Sequence, residues 1–551
     1  MNNEESAKNI LDRYVEQYVE DFFAKNISSL QILPMIKVTD FNAEVCRNDF
    51  VGIPKQPVVD TNNMVSGIGK LLPKLVTYSS QEQRAENGNR QQVFVEARKT
   101  LRELGMLLKF RNQADGEQYG VTQCKVISND VIEIRKMVTD EEAIEHADRN
   151  ALLDGEHDDR KDVLNRIDTL MKNAVQSSRF GGYIEPKQEL AAYTDIGRQY
   201  LEFYISEYAE AEAFADSSMI GPLTFSQWKR IAINVCALGF AKSLLEDIDL
   251  LKRGRFTLEA FSLMPPSRIS SEELRECFYV SEIPNCQNIF DQITSCLILS
   301  EENAEADYGG HGVQPILIRI GDEVLMPRYS RLGNPYMFLV TRLAQVYRGE
   351  IRRIVSEREK KFQDDLSERL DSEYYLYGNP NVFLYRPNKT ILTDIDSVIY
   401  EKETNCLYLI QLKWFALYDS FEQRESQYEK LQDKGNEWID KVQRWVDTTP
   451  PIEVLKHVGF ENIDIDPKTL QIRLVMLNRG WTRFSGKEVF ENTAAWISWS
   501  RLCWMLRGAP LRGSKLAEAW DQAMQTQTIP FQPAGNRYEY KFPGLTVIVF
   551  D

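Results

Sequence analysis

The segment Cys406-Leu407-Tyr408-Leu409-Ile410-Gln411-Leu412-Lys413 constrains the fold more than any other part of the chain. Its first five residues are apolar without alternation, which a strand tolerates only when both faces are covered, as in the middle of an α/β sheet. The strand then carries an amide and an ammonium to its end, where burial is costly unless such groups are paired or bound to an ion. Just upstream, Thr390 to Tyr400 reads as a second strand, joined through the polar turn Glu401-Lys402-Glu403-Thr404-Asn405. Side chains alternate across a strand, so Asp394 and Asp396 share one face, as do Gln411 and Lys413. Antiparallel pairing gathers carboxylate, amide and ammonium at one end of the hairpin. Carboxylate and carbonyl oxygens suit a hard cation such as magnesium, and a lysine beside them steadies developing negative charge.

A Glu/Gln-x-Lys tripeptide alone says little, because the chain also holds Glu185-Pro186-Lys187, Glu359-Lys360-Lys361, Gln432-Asp433-Lys434 and Glu539-Tyr540-Lys541. The first falls in a loop and the next two in helical patterns; the last is strand-like but has no acidic strand just before it. Only residues 394 to 413 combine two strands, an acid on the first and the tripeptide closing the second. Around them, Phe338 to Leu370 reads as one long helix packing a face on the sheet, and Val382-Phe383-Leu384-Tyr385 as a first strand after the breaker Asn379-Pro380-Asn381. Ser420 to Val446 reads as an amphipathic crossover helix or a helix pair interrupted at Gly435. Leu470 to Leu477 is then a fourth, parallel strand.

These residues, in this order, resemble the PD-(D/E)XK nuclease superfamily, in the Gln-x-Lys form of the Mrr-like restriction endonucleases. The resemblance covers roughly residues 345 to 500. It implies a restriction-endonuclease-like α/β domain, a central mixed sheet flanked by helices, hydrolysing phosphodiester bonds, in DNA by expectation, with magnesium or manganese. It assigns the catalytic roles to Asp396, Gln411 and Lys413. Asp396 is the primary metal ligand, Gln411 coordinates through its amide oxygen and the backbone carbonyl of Leu412 adds another oxygen. Asp394 stands behind Asp396 or replaces it, and the family's helix glutamate corresponds to Glu359 or Glu368, with Gln363 also nearby. Lys413 orients the attacking water and stabilises the transition state. Gln411 in place of the usual acid removes one negative charge and weakens metal affinity. Gln423 and Tyr428 have the wrong spacing for the Gln-x-x-x-Tyr helix of RecB-like relatives. A role in bacterial restriction or anti-phage defence is an expectation from the resemblance alone. The rival reading is a catalytically silent nuclease-like domain that holds nucleic acid or a partner protein.

The chain is long enough for several domains: 551 residues, 43% hydrophobic and 27% charged. We expect a mainly helical α+β amino-terminal region over residues 1–185, a mainly helical middle with a small hairpin over 186–335, and the nuclease-like domain over 336–551. No apolar run is long enough to span a membrane and residues 1 to 23 are amphipathic and acidic, so the expectation is a cytoplasmic protein with no membrane partner. Eight cysteines without a Cys-x-x-Cys pair argue for reduced thiols, and no Gly-rich phosphate loop is visible. The formal charge of −16 disfavours nucleic acid only superficially, since residues 341 to 551 sum to −1. Arg352, Arg353, Lys389, Lys413, Arg473, Arg479, Arg483 and Lys487 offer cations near the motif, and the loop Asn478-Arg479-Gly480-Trp481-Thr482-Arg483 is the expected contact with a nucleic-acid backbone. Trp496, Trp499 and Trp504 read mostly as core. The acidic amino-terminal part suits recognition of a separate partner subunit, and the acidic run Asp140 to Asp162 reads as a charged helical face or loop rather than a phosphohydrolase centre.

Overall fold

A computed structural model describes residues 6–24, 35–36, 38–40, 58–79, 90–139, 142, 145, 165–166, 169, 186–206, 212–252, 267–281, 283, 286–306, 314–332, 334–355, 357–415, 421–461, 463, 465–487, 493–505, 515–525 and 535–550. The strands, in chain order, are β1 (Thr122–Ser128), β2 (Val131–Lys136), β3 (Met219–Ile220), β4 (Leu223–Thr224), β5 (Ile298–Leu299), β6 (Leu317–Ile320), β7 (Glu323–Leu325), β8 (Tyr375–Tyr377), β9 (Val382–Tyr385), β10 (Ile391–Ile395), β11 (Ser397–Glu401), β12 (Cys406–Lys413), β13 (Gln471–Asn478), β14 (Ala494–Ser498), β15 (Arg537–Phe542) and β16 (Leu545–Phe550). The protein is a mixed α/β molecule with several separate sheets.

The sheet that matters most runs in the order β14-β13-β12-β11-β8. Strands β8, β11 and β12 pair antiparallel, while β12, β13 and β14 pair parallel. The apolar run of β12 is explained by its position: it is the middle strand, and all its residues from Cys406 to Leu412 are buried. Alternate residues face opposite layers. Cys406, Tyr408, Ile410 and Leu412 pack with Val475, Leu477 and Ile497 beneath the helices Arg358–Glu368, Trp499–Met505 and Lys515–Gln525. Leu407 and Leu409 pack with Leu474, Met476 and Trp496 beneath the helices Lys434–Thr448 and Pro451–His457. Trp496 and Trp499 are thus core, as expected.

Three readings of the local elements change. The long helix is three helices, Pro335–Val346, Arg348–Val355 and Arg358–Glu368. The first two bury Phe338, Leu339, Leu343 and Ile354 in the amino-terminal core, and only the third lies on the sheet. β9 is a strand, but it pairs only with β10 in a separate ribbon, and the sheet's own first strand is the short β8. Thr390 to Tyr400 is not one strand: the chain bends at Asp396, leaving β10 in the ribbon and β11 in the sheet.

Strands β1, β2, β16 and β15 form another sheet, in which the chain's final hairpin pairs parallel with β2 and buries Leu545, Val547 and Val549 in the amino-terminal core. The small hairpin expected near residues 314 to 326 is present as β6 and β7. Helices Pro186–Ser206 and Phe225–Lys252 occupy the segments read as helical. Among the described residues no helix is long and apolar enough to cross a membrane.

Candidate functional site

The bend at Asp396 creates the site. Its backbone N–H already donates to Ile410 O at 3.1 Å, so the chain enters the antiparallel ladder with β12 at this residue. The next donor along β12, Leu412 N–H, would be left without a strand partner. The Asp396 carboxylate meets it instead, with Leu412 N 2.7 Å from Oδ2. Gln411 Nε2 donates to the same oxygen at 2.5 Å. Lys413 Nζ stands 4.0 Å from it, across the edge of the strand. The three side chains singled out from sequence therefore meet around one carboxylate oxygen.

The bend is braced from behind. The Asp396 carbonyl accepts from Gln363 Nε2 at 2.6 Å and from Asn381 N at 3.2 Å, and Gln363 also holds Asn381 Oδ1 at 2.7 Å. Asn381 adopts φ of 53°, a left-handed conformation that asparagine tolerates better than most residues. In the sequence Asn381 stands out only as a breaker and Gln363 only as one of several polar helix residues. Its signal was its place one helical turn beyond Glu359 on the same face.

Asp396 is almost completely buried. Burial pushes its carboxyl up to about 7, against the opposing pull of Lys413 and the Leu412 N–H; the charges of Glu359 and Asp394 add to the rise. Glu359, exposed on its helix, is thus close enough to be felt, whereas Glu368 is not among the charges acting on Asp396. Asp394 is half-buried and acts through its charge, while its backbone carbonyl accepts from Trp438 Nε1 at 2.6 Å.

Two observations bear on whether these residues fit a divalent cation. Gln411 is buried, and its Oε1 has no hydrogen-bond partner among the described residues. An amide oxygen left bare is costly, and an oxygen ligand to a hard cation is a use for it. The Leu412 carbonyl faces the same strand edge, since N–H and C=O of one strand residue point to the same side. Against this, among the described residues no three Asp, Glu, His or Cys side chains converge as a metal group. The donor set is therefore oxygen-rich but has Asp396 as its main charge, and it fits a magnesium-like ion held partly by water.

Cations in and around the loop after β13 are engaged within the protein. Arg479, expected at a nucleic-acid backbone, is spoken for: it binds Glu212 through Nε at 3.0 Å, pairs with Asp365, and lies over the Trp414 ring at 4.2 Å. Its own N–H donates to Lys413 O at 2.8 Å, which extends the β12–β13 pairing. Lys487 pairs with Glu425 at 2.5 Å, and Arg473 with Asp521 at 3.3 Å.

No known protein-family model matches the chain, and neither a curated protein nor a solved structure proves similar to it. The fold and the site define an α/β protein whose mixed sheet presents an acid, an amide and an ammonium at the end of its middle strand.

Proposed function

We propose that the protein is a metal-dependent nuclease of the PD-(D/E)XK type, hydrolysing phosphodiester bonds in DNA. The single observation that carries this reading is the meeting of Asp396, Gln411 and Lys413 at a strand-end bend, with Gln411 Oε1 buried and bare. The order helix, antiparallel meander, crossover helix and parallel strand supports it, as does the placement of Lys413 at the rim, one-third exposed, where a substrate phosphate could be reached.

In this reading Asp396, Gln411 and the Leu412 carbonyl hold magnesium or manganese, with Glu359 as an outer carboxylate. The ion would polarise the phosphoryl oxygen and lower the pKa of a bound water. Lys413 holds the attacking water in line and neutralises charge on the phosphorus oxygens as they become more negative. The buried amide neighbourhood excludes bulk water and strengthens both interactions.

Supercoiled plasmid incubated with the purified protein, with magnesium and then with chelator, tests the proposal. Nicking or linearisation that needs the ion and is lost in Lys413→Ala supports it. Cutting by that variant at the parent rate refutes it.

A second reading, a silent nuclease-like binding module, is favoured by one observation: Asp396 Oδ2 is already satisfied by two donors, Gln411 and Leu412. Binding of DNA with equal strength in chelator, and no calorimetric response to magnesium, would decide for it.

A further inference from the structure

The loop Thr482–Ser485, with Arg424 beside it, is built to receive anions. Glu145 is fully buried and accepts from Thr482 N at 2.8 Å, Thr482 Oγ1 at 2.5 Å and Arg483 N at 3.4 Å. Glu142 accepts from Ser485 N at 2.9 Å, from Arg424 Nε at 2.5 Å and from the Ser485 hydroxyl. Three backbone N–H groups, two hydroxyls and a guanidinium thus converge on two carboxylates spaced three residues apart, side by side on one helical turn. Convergent loop amides with an arginine are the donor pattern that binds phosphate.

The cradle has more donors than its occupants satisfy. Arg424 is buried, and while its Nη2 donates to Ser485 O at 2.5 Å, its Nη1 has no acceptor among the described residues. A phosphodiester brings more acceptor oxygens than a carboxylate. The loop also lies close beyond the end of β13, where Asn478 is the register partner of Lys413. It therefore follows the same end of the sheet as the candidate centre. The occupants belong to the most acidic part of the chain, since residues 140 to 162 hold ten acidic and three basic residues.

We propose that Thr482, Arg483, Ser485 and Arg424 form a phosphate-binding site for the nucleic-acid backbone, and that Glu142 and Glu145 hold it by imitating two phosphates. The proposal rests on the nuclease reading for its choice of ligand. Glu142 and Glu145 are then internal competitors whose carboxylates must give way before the backbone phosphates can bind.

Glu142→Gln/Glu145→Gln keeps the side-chain shape and one acceptor oxygen on each residue while removing both charges, and a thermal melt checks that the fold is retained. A fluorescent single-stranded or duplex 20-mer is titrated in chelator at fixed salt against the full chain, this variant, and a charge-matched control, Glu272→Gln/Glu276→Gln, on the exposed face of the helix Ser271–Val280. The expected result is about tenfold tighter binding by the cradle variant, with a steeper salt dependence, and little change in the control. Equal affinity in parent and cradle variant, or an equal gain in the control, overturns the proposal. Should the double variant melt early, Glu142→Gln alone, at the less buried position, is read by the same criteria. Cleavage by Lys413→Ala is scored separately. A gain in binding with cleavage intact in that variant keeps the cradle and removes the active-site reading, and the converse removes only the cradle.

Discussion

Gln411 gives its amide N–H to Asp396 Oδ2 at 2.5 Å and leaves its own amide oxygen buried with no partner. In a protein core that arrangement is expensive, because the bare oxygen forfeits its hydration without replacement, at a cost of about 1–3 kcal/mol. The neighbouring carboxyl is disfavoured as an anion for the same reason. Both penalties shrink when a cation is shared between the two side chains.

Lys413 reaches past the sheet edge and contributes little to the core, so Lys413→Ala is expected to lower the cleavage rate by at least about 100-fold, the scale of losing one donor to a developing oxyanion. Its melting temperature should stay close to that of the parent. Plasmid nicking and a thermal melt measure the two effects.

Asp396→Asn separates stability from function through pH. Burial raises the Asp396 carboxyl from its ordinary 3.8 to about 7. The folded chain therefore keeps a proton between those values that the unfolded chain has released. The stability this group contributes is present in acid and is lost as the pH rises through about 7. The amide needs no ionisation, so in chelator at pH 8 the variant should be more stable than the parent, on the order of 1–3 kcal/mol, and the gap should close towards pH 5. Magnesium binding, read by calorimetry, should vanish. In the parent, magnesium affinity should fall as the pH drops below about 7, because the proton competes for the carboxylate.

Gln411→Glu places a second carboxylate against Asp396. Without an ion the two like charges repel in a buried setting, and stability in chelator should fall, by about 1–3 kcal/mol. With magnesium the order reverses, and affinity should rise about tenfold. Melts with and without the ion give both numbers, and a fall in both conditions would count against a shared cation.

Gly435 lies where the crossover helix touches the sheet. A Cβ there would sit 2.6 Å from the Trp496 ring and 3.1 Å from Met476. Alanine is the better helix former by about 1 kcal/mol, yet Gly435→Ala should destabilise by about 1–3 kcal/mol because a packed indole cannot give way. Urea midpoints check the sign.

The centre of the sheet was legible because its cause is local. An uninterrupted apolar run must be buried on both faces, and β12 and β13 could be recognised from their own residues. The hairpin turn and the two-residue spacing of Gln411 and Lys413 followed from strand alternation. Alternation also placed Asp394 beside Asp396, and there it failed, since the strand it assumed ends at the bend. The bend depends on Gln363 and Asn381, which approach from other elements and leave no periodic trace. β8, only three residues long, offers too few positions for a period to register.

Residue order by itself determined the α/β character of the middle strands and which acid, amide and lysine could meet, because backbone periodicity and burial act over a few neighbouring positions. Tertiary structure alone decided that the carboxylate turns back onto its own hairpin, that the last hairpin completes a sheet begun near Thr122, and that Glu145 docks on Thr482. The last two contacts join segments hundreds of residues apart, and even the first spans 16 residues. Their partners are chosen by packing and by hydrogen-bond donors left unmet, which no local pattern records.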